Sequence, residues 1–523
     1  MQFREIIDND GVHYVMLGKN LFSGNGYTEP EGIYQWYYPP FFPINVGLLW
    51  VLIRDIEMAG EWISLIYGSL LPIGVFYVAY LIYNFKTGLI AGFLTALFPP
   101  FIEFSSSATA EIIFTSYTII FACLGYILIK KQRILLLLPL GLLAGIIYLT
   151  KPAGIQYLGV SILLMSMWAW YGSRGKIAII KGMITFLIGW AILCSPYLIY
   201  LHNHYGRWTF SELSTRNLYR TVLVSNNESK EKEYILTEDK KEMVYFTSPS
   251  YAGKDLGIWD VFQDDPHMFL YGYFQNLVIQ TKRVFTYGHT KVTGLLFLLV
   301  VVFSFLRNHW SRQGIINMAF LGSMLLPFFT YPLVSSEAKR WLLPFIAILM
   351  VLYAKGIVEI QEGVRSWRIF PKSRHVQFLR GYGVYVIIIL CISFETLSIL
   401  PTSIKSQQHY YPIEHKEMGL LMKENKISKD VVIMSITPQT SFYAQAKFKV
   451  IPWGEYSDII DYARYHGVNY FVVDETYIPR RRPQLAFLLD ENNTPSELKL
   501  KHKLIGKNKK KILAYEFTKG ASL

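Results

Sequence analysis

Four short clusters hold the ionisable side chains whose types and spacing suit chemistry. The first is Asp8-Asn9-Asp10-Gly11, two carboxylates two residues apart just ahead of the amphipathic stretch Tyr14-Val15-Met16-Leu17. An acid at that position either caps the helix that follows, with Asp10 as the cap, or serves as a general base toward a hydroxyl. The second is Glu111, which ends Ser105-Ser106-Ser107-Ala108-Thr109-Ala110-Glu111 and opens an apolar run. A helix N-terminus favours a carboxylate there for electrostatic reasons alone, and an active-site acid is the competing use. The third and fourth are Lys151, in Leu149-Thr150-Lys151-Pro152, and Arg340, in Ser336-Glu337-Ala338-Lys339-Arg340-Trp341. One such cation at the end of an apolar run ordinarily snorkels to the interface. Two on the same face suit a phosphate, which Arg grips bidentately and Lys meets as a point charge.

Other chemistries are absent from the pattern. The chain has no GxGxxG, GxxxxGK[ST], HExxH or GxSxG motif. His202-x-His204 lacks an acid or cysteine at ligand spacing, and His267, in Asp264-Asp265-Pro266-His267, is a similarly weak signal, so no metal ligand is assigned. Cys123, Cys194 and Cys391 all fall inside apolar runs and read as small buried residues rather than a disulfide framework.

The elements that must hold these clusters are membrane helices. The 523 residues are 52% hydrophobic and only 17% charged, where a soluble chain carries roughly 25% charge. Apolar stretches at 62–83, 88–102, 111–129, 134–150, 155–171, 182–201, 293–306, 315–334, 341–358 and 383–400 predict about ten spans of a mainly α, polytopic helix bundle. Alternate short loops collect the basic residues: Lys86, then Lys130, Lys131 and Arg133, then Arg174, Lys176 and Lys181, then Arg307 and Arg312, then Arg365 to Arg380. Positive loops face the cytoplasm, so much of the formal charge of +13 is a topology signal and nucleic acid is not an expected partner.

That orientation puts three long segments outside, and with them all four clusters. Residues 1–61 form a first extracytoplasmic loop with interfacial helices. Residues 62–400 form the transmembrane domain with an outer loop at 202–292, amphipathic around 258–288. Residues 401–523 form a small α/β domain, with helices at 413–425 and 456–466 and strands at 431–436, 470–473 and 512–517. No signal peptide or apolar segment long enough to span precedes residue 62, so the first loop is exported either by a further N-terminal span upstream of this sequence, the favoured expectation, or by the helix behind it.

The order of these motifs resembles a known family. Asp10-Gly11-x-x-Tyr14, Lys19-Asn20-Leu21-Phe22-Ser23-Gly24-Asn25-Gly26-Tyr27 and Tyr38-Pro39-Pro40 are similar to the first outer loop of GT-C glycosyltransferases. These are polyprenyl-phosphate-sugar-dependent membrane enzymes such as protein O-mannosyltransferases and the aminoarabinose transferase. Pro99 with Ser105 to Glu111, Gly141-Leu142-Leu143-Ala144-Gly145 with Lys151-Pro152, and Glu337-Ala338-Lys339-Arg340-Trp341-Leu342-Leu343-Pro344 continue the likeness across roughly residues 8–358. The resemblance implies an inverting transfer of a hexosyl or pentosyl unit from a polyprenyl-phosphate sugar to an acceptor hydroxyl. It implies Asp10 as base with Asp8 as the alternate, Glu111 as the assisting acid, and Arg340 and Lys151 on the lipid phosphate. Lys151 stands where Arg is frequent. Tyr14, Trp36, Tyr37, Tyr38 and Glu337 would line the substrate, although interface anchoring also explains the aromatic residues. No cofactor is implied with certainty, and a divalent cation is left open. The acceptor, whether protein, lipid or glycan, is not specified.

Two other functions compete. A lipid-linked glycan ligase or polymerase would use the same donor and an Arg-rich outer loop, and 202–292 holds Arg207, Arg216, Arg220 and Arg283. A secondary transporter would place its charges near the midplane in paired repeats; here they gather at the outer ends of spans without internal symmetry.

Overall fold

A carboxylate at residue 8 decides where the first helix begins. In the computed structural model, Asp8 adopts an extended backbone and accepts a hydrogen bond from the Gly11 amide at 2.6 Å, capping α1 (Asn9–Phe22). The cap is therefore Asp8, and Asp10 sits inside the first turn instead of capping it. The structure describes residues 5–518 apart from 31–33, 36–37, 207, 212–233, 246–258, 260–261, 264, 308–310, 334–338, 367–373, 411 and 429.

Helix α1 ends at a turn in which Gly24 and Gly26 take φ of +83° and +75°, conformations that side chains oppose. It then packs on α2 (Phe41–Ile53) at a crossing only glycine permits. A Cβ on Gly18 would lie 2.4 Å from the Pro43 carbonyl oxygen. Helix α3 (Ile56–Ile82), capped by Asp55 through the Met58 amide, brings the chain into the bundle.

Among the described residues, seven helices are long and apolar enough to cross a membrane, or up to nine if two bent pairs each count as one span. The expected count of about ten is not reached, and the differences fall at particular runs. The 88–102 run divides into α4 (Phe85–Leu97) and α5 (Pro99–Ser105), bent by 61°. The break falls at Pro99-Pro100, where the ring removes a donor and blocks a continuing helix. The 134–150 run is one 3-10 turn followed by α7 (Leu137–Thr150), too short to qualify alone. The helix Pro266–Thr286 meets Lys291–Arg307 at 102°.

The centre of the bundle holds α6 (Glu111–Lys131) and the helix Leu343–Ser366, whose apolar windows are 72% and 83% buried. They pack on each other and on α3 and α4. The helix Lys176–Tyr205 is only 22% buried over its apolar window, leaving Ile177, Ile184, Leu187, Ile188 and Ile192 exposed, an apolar surface suited to lipid. Its partner is α7, where a Cβ on Gly141 would come within 2.1 Å of the Phe186 carbonyl oxygen. That glycine, prominent in the sequence motif, is a packing residue.

One end of the bundle carries the basic loops. Lys130 donates to Gln313 at 2.5 Å, Arg174 donates to the Gln132 carbonyl at 2.7 Å, and Arg312 lies over Trp170. The first loop and the C-terminal segment meet elsewhere: Tyr443 accepts from the Ile7 amide at 3.0 Å and donates to Glu57 at 2.5 Å. Strands β1 (Tyr234–Leu236) and β2 (Met243–Tyr245) pair antiparallel and join that assembly through Lys240, 2.6 Å from Asp458.

The C-terminal sheet contains β3 (Val432–Ser435), β4 (Lys447–Val450), β5 (Tyr470–Asp474), β6 (Leu498–Ile505) and β7 (Lys511–Phe517) in the order β4-β3-β5-β7-β6. The first three are parallel and β7 runs antiparallel to β5 and β6. Helices Ile413–Glu424 and Tyr456–Tyr465 fall where periodicity places them. Strand β6 alternates one half-buried residue with one exposed residue, Lys and His included, and sequence patterning missed it.

Candidate active site

Asp10 occupies the second position of α1, where the helix dipole favours an anion. Three and four residues on, His13 and Tyr14 share its face. Glu111 is the first residue of α6. Lys151 follows α7 in extended conformation, because the residue before Pro152 is pushed out of the helical region. Arg340 lies in the 3-10 turn Lys339–Leu342 that leads into Leu343–Ser366.

These four residues, spread over 330 positions of sequence, converge. Arg340 donates through Nη2 to Asp10 Oδ2 and through Nε to Glu111 Oε1, the latter at 3.2 Å. Lys151 Nζ donates to the same Glu111 oxygen at 2.7 Å. Two carboxylates and two cations thus share one network with no net charge. Exposure is graded across it: the Glu111 side chain is 2% exposed, Lys151 13%, Asp10 26% and Arg340 34%. Among the described residues, the buried Glu111 Oε2 has no hydrogen-bond partner.

The electrostatics of Asp10 follow from this geometry. Burial pushes its carboxyl up, but the Arg340 charge, the hydrogen bonds from Arg340 and Tyr38, and nearby His13 outweigh it and hold the group at about 2. Tyr38 donates to Asp10 Oδ1 at 2.9 Å, and its own carbonyl accepts from the Tyr27 hydroxyl at 2.8 Å. The Tyr14 ring stands 4.6 Å from that of Tyr38 and 5.3 Å from that of Phe42. Burial, with Glu111 and Asp10 alongside, holds the Tyr14 hydroxyl well above its ordinary value. It stays protonated as a donor.

Among the residues singled out in the sequence, Asp10, Glu111, Arg340, Lys151, Tyr14 and Tyr38 come together. Asp8 is engaged one turn away as the cap of α1. Trp36, Tyr37 and Glu337 lie outside the described residues, as do Arg207, Arg216 and Arg220. His202 stacks on Trp208 and His204 hydrogen-bonds the Tyr200 carbonyl, so the pair is turned to separate partners. Sequence reasoning missed His13, whose Nδ1 meets Glu29 Oε2 at 2.5 Å while Gln35 donates to the other Glu29 oxygen. The available signal was helical spacing, three residues from Asp10.

No protein-family model matches the chain, and no curated protein matches it. Solved structures do. ArnT from Cupriavidus metallidurans in the apo state superposes with a TM-score of 0.58 at 11% identity, covering 98% of this chain and 94% of that one. The same protein bound to undecaprenyl phosphate gives 0.56 at 12% identity with the same coverage. The archaeal oligosaccharyltransferase AglB from Archaeoglobus fulgidus, in complex with an inhibitory peptide and a dolichol-phosphate, gives 0.57 at 13% identity. There the match covers 90% of this chain and 66% of the other. This chain has the fold of the solved ArnT and AglB structures.

Proposed function

We propose that this protein transfers a hexose or pentose from a polyprenyl-phosphate donor to an acceptor hydroxyl, with inversion, at the extracytoplasmic face of a cell membrane. The observation that carries this reading is the convergence of Asp10, Glu111, Lys151 and Arg340 from four separate segments. The lipid phosphates in the similar structures support the donor class. The positive loops at one end of the bundle support the orientation.

The residues divide the work by charge. The acceptor oxygen attacks the anomeric carbon, the bond from that carbon to the phosphate oxygen breaks, and polyprenyl phosphate leaves as an anion. Arg340 and Lys151 meet the charge that grows on the phosphate. Asp10 takes the acceptor proton. At rest Asp10 is a poor base, because Arg340 holds it at about 2. An incoming phosphate competes for the guanidinium. As Arg340 turns to it, burial acts on Asp10 with less opposition and the carboxylate becomes more basic. Donor binding thereby readies the base. Glu111, walled in and bonded to both cations, keeps them in place, and Tyr14 and Tyr38 border the sugar. Residues 1–61, 62–400 and 401–523 are read as loop, transmembrane and outer units of this enzyme.

The test is Asp10→Asn, assayed by release of polyprenyl phosphate from a lipid-linked sugar. A drop of roughly 10²–10⁴-fold is expected for loss of a general base. Unchanged turnover would remove the assignment.

A further inference from the structure

The C-terminal domain encloses a second group of ionisable residues, outside the candidate active site. Glu414 and His415 stand in the first turn of the helix Ile413–Glu424, and Asp474 ends β5. All three are 0% exposed, and one ligand-type atom from each lies within 4.8 Å of the others. We propose that Glu414, His415 and Asp474 bind one divalent cation of the zinc or manganese class, structurally and independently of the sugar-transfer site.

Three observations support it. His415 Nε2 and Asp474 Oδ2 are buried, face each other and have no hydrogen-bond partner among the described residues. Their separation is 3.4 Å, longer than the 2.7–2.9 Å typical of a charge-assisted N–H···O bond. It matches the spacing of about 3.3 Å that tetrahedral ligands at about 2.0–2.1 Å from one ion must keep. Second, among the described residues no Lys or Arg forms an ion pair with Glu414 or Asp474, so two buried carboxylates face only one imidazole. A helix N-terminus eases the charge of Glu414, but Asp474 has no such help.

Third, every other polar atom of the cluster is already held. His415 Nδ1 is 2.7 Å from Thr440 Oγ1, the Tyr477 amide donates to Asp474 Oδ1 at 2.6 Å, and Thr476 and Asn508 donate to Glu414. This is how ligand side chains are oriented around an ion, with the His tautomer fixed by its far nitrogen. One nitrogen and two carboxylates suit a borderline cation, with a fourth position for water or the second Glu414 oxygen.

The site ties Ile413–Glu424 to β5 and, through Thr440, to the short helix Gln439–Ala444. That short helix presents Tyr443 to Ile7, one residue before the cap of α1. The ion would stiffen the platform on which the catalytic loop rests.

Full-length protein in detergent, stripped with EDTA and titrated with ZnCl2, MnCl2 or CoCl2, tests this. The wild type should take up one ion per chain and unfold at higher temperature when loaded. His415→Gln and Asp474→Asn should lose that ion, Asp10→Asn and Glu111→Gln should keep it, and Thr440→Ala should weaken it roughly 10–100-fold. The bound cobalt should show a nitrogen-and-oxygen ligand field without sulfur. No uptake by the wild type overturns the proposal, and so does uptake that survives His415→Gln. Should both ligand variants fail to fold, unaltered affinity in Thr440→Ala overturns it. Loss of the ion with sugar transfer intact would leave the transferase reading standing.

Discussion

Replacing Arg340 by Gln separates two jobs that the proposed function gives one side chain. Arg340 is the largest lowering influence on Asp10 and also touches Glu111. As a donor aimed at a departing phosphate, its removal should cost about 10²–10³ in kcat/KM, the usual penalty for losing one such donor. That is about 2.7–4 kcal/mol of barrier. The second effect has a definite sign. With Arg340 gone, burial is opposed mainly by the Tyr38 hydrogen bond, so the Asp10 carboxyl rises from about 2 toward or past its ordinary value of 3.8. A base must be ionised, and kcat/KM reports the free enzyme, so the acid limb of the profile should move to higher pH. The wild type should hold its kcat/KM down to the lowest pH at which it stays folded. The assay is polyprenyl phosphate release at fixed low donor across a pH series, with thermal unfolding at each pH to exclude denaturation. A loss below about threefold with an unmoved acid limb would refute the Arg340–Asp10 coupling as the control on the base.

Two further outcomes follow from the geometry. Asp8→Ala should cost about 1 kcal/mol of stability by removing the α1 cap while leaving turnover within a few fold, and a loss as large as that of Asp10→Asn would make Asp8 the base. Glu111→Leu strips the buried Lys151 of its partner and should destabilise by about 3–5 kcal/mol, read as a lowered unfolding temperature. The double variant Glu111→Leu/Lys151→Met should recover most of that stability but not activity.

Much of the architecture was legible because bilayers impose simple length and charge rules. Runs such as 111–129 and 341–358 lie within helices found in the structure, and the alternation of basic loops reappears as Lys130, Arg174 and Arg312 gathered at one end. Helix breaks were harder. Pro99-Pro100 was visible, yet apolarity continues across it, so hydropathy alone counts one straight span where the chain bends by 61°. In the site, acids at helix starts and cations at span ends were readable because their positions are unusual in apolar surroundings. The pairing was not. Nothing local says that Arg340 bridges Asp10 and Glu111, or that Tyr38 donates to Asp10, since those contacts depend on how distant helices pack. The Glu414–His415–Asp474 cluster was hidden for the same reason, one member lying on a strand 59 residues beyond the others.

The balance of charge in the candidate site also bears on what it accepts. Two anions and two cations satisfy one another, so the resting network exerts little net field on its surroundings, and a neutral sugar gains little by disturbing it. An anion has a reason to enter, because it can take over one guanidinium face already 34% exposed, while Glu111, at 2%, stays shielded from exchange. The acid that gives up its partner is Asp10, the more exposed of the two, and it is the acid lying beside Tyr38 and Tyr14. Under the proposed function, discrimination for a phosphate-linked donor and activation of the base then arise from the same displacement. A neutral glycoside with the same sugar should bind without raising Asp10, and its transfer should be slow even at saturation. Comparable kcat for neutral and phosphate-linked donors would show that the ion pair is a structural clasp and that the base is governed by something else.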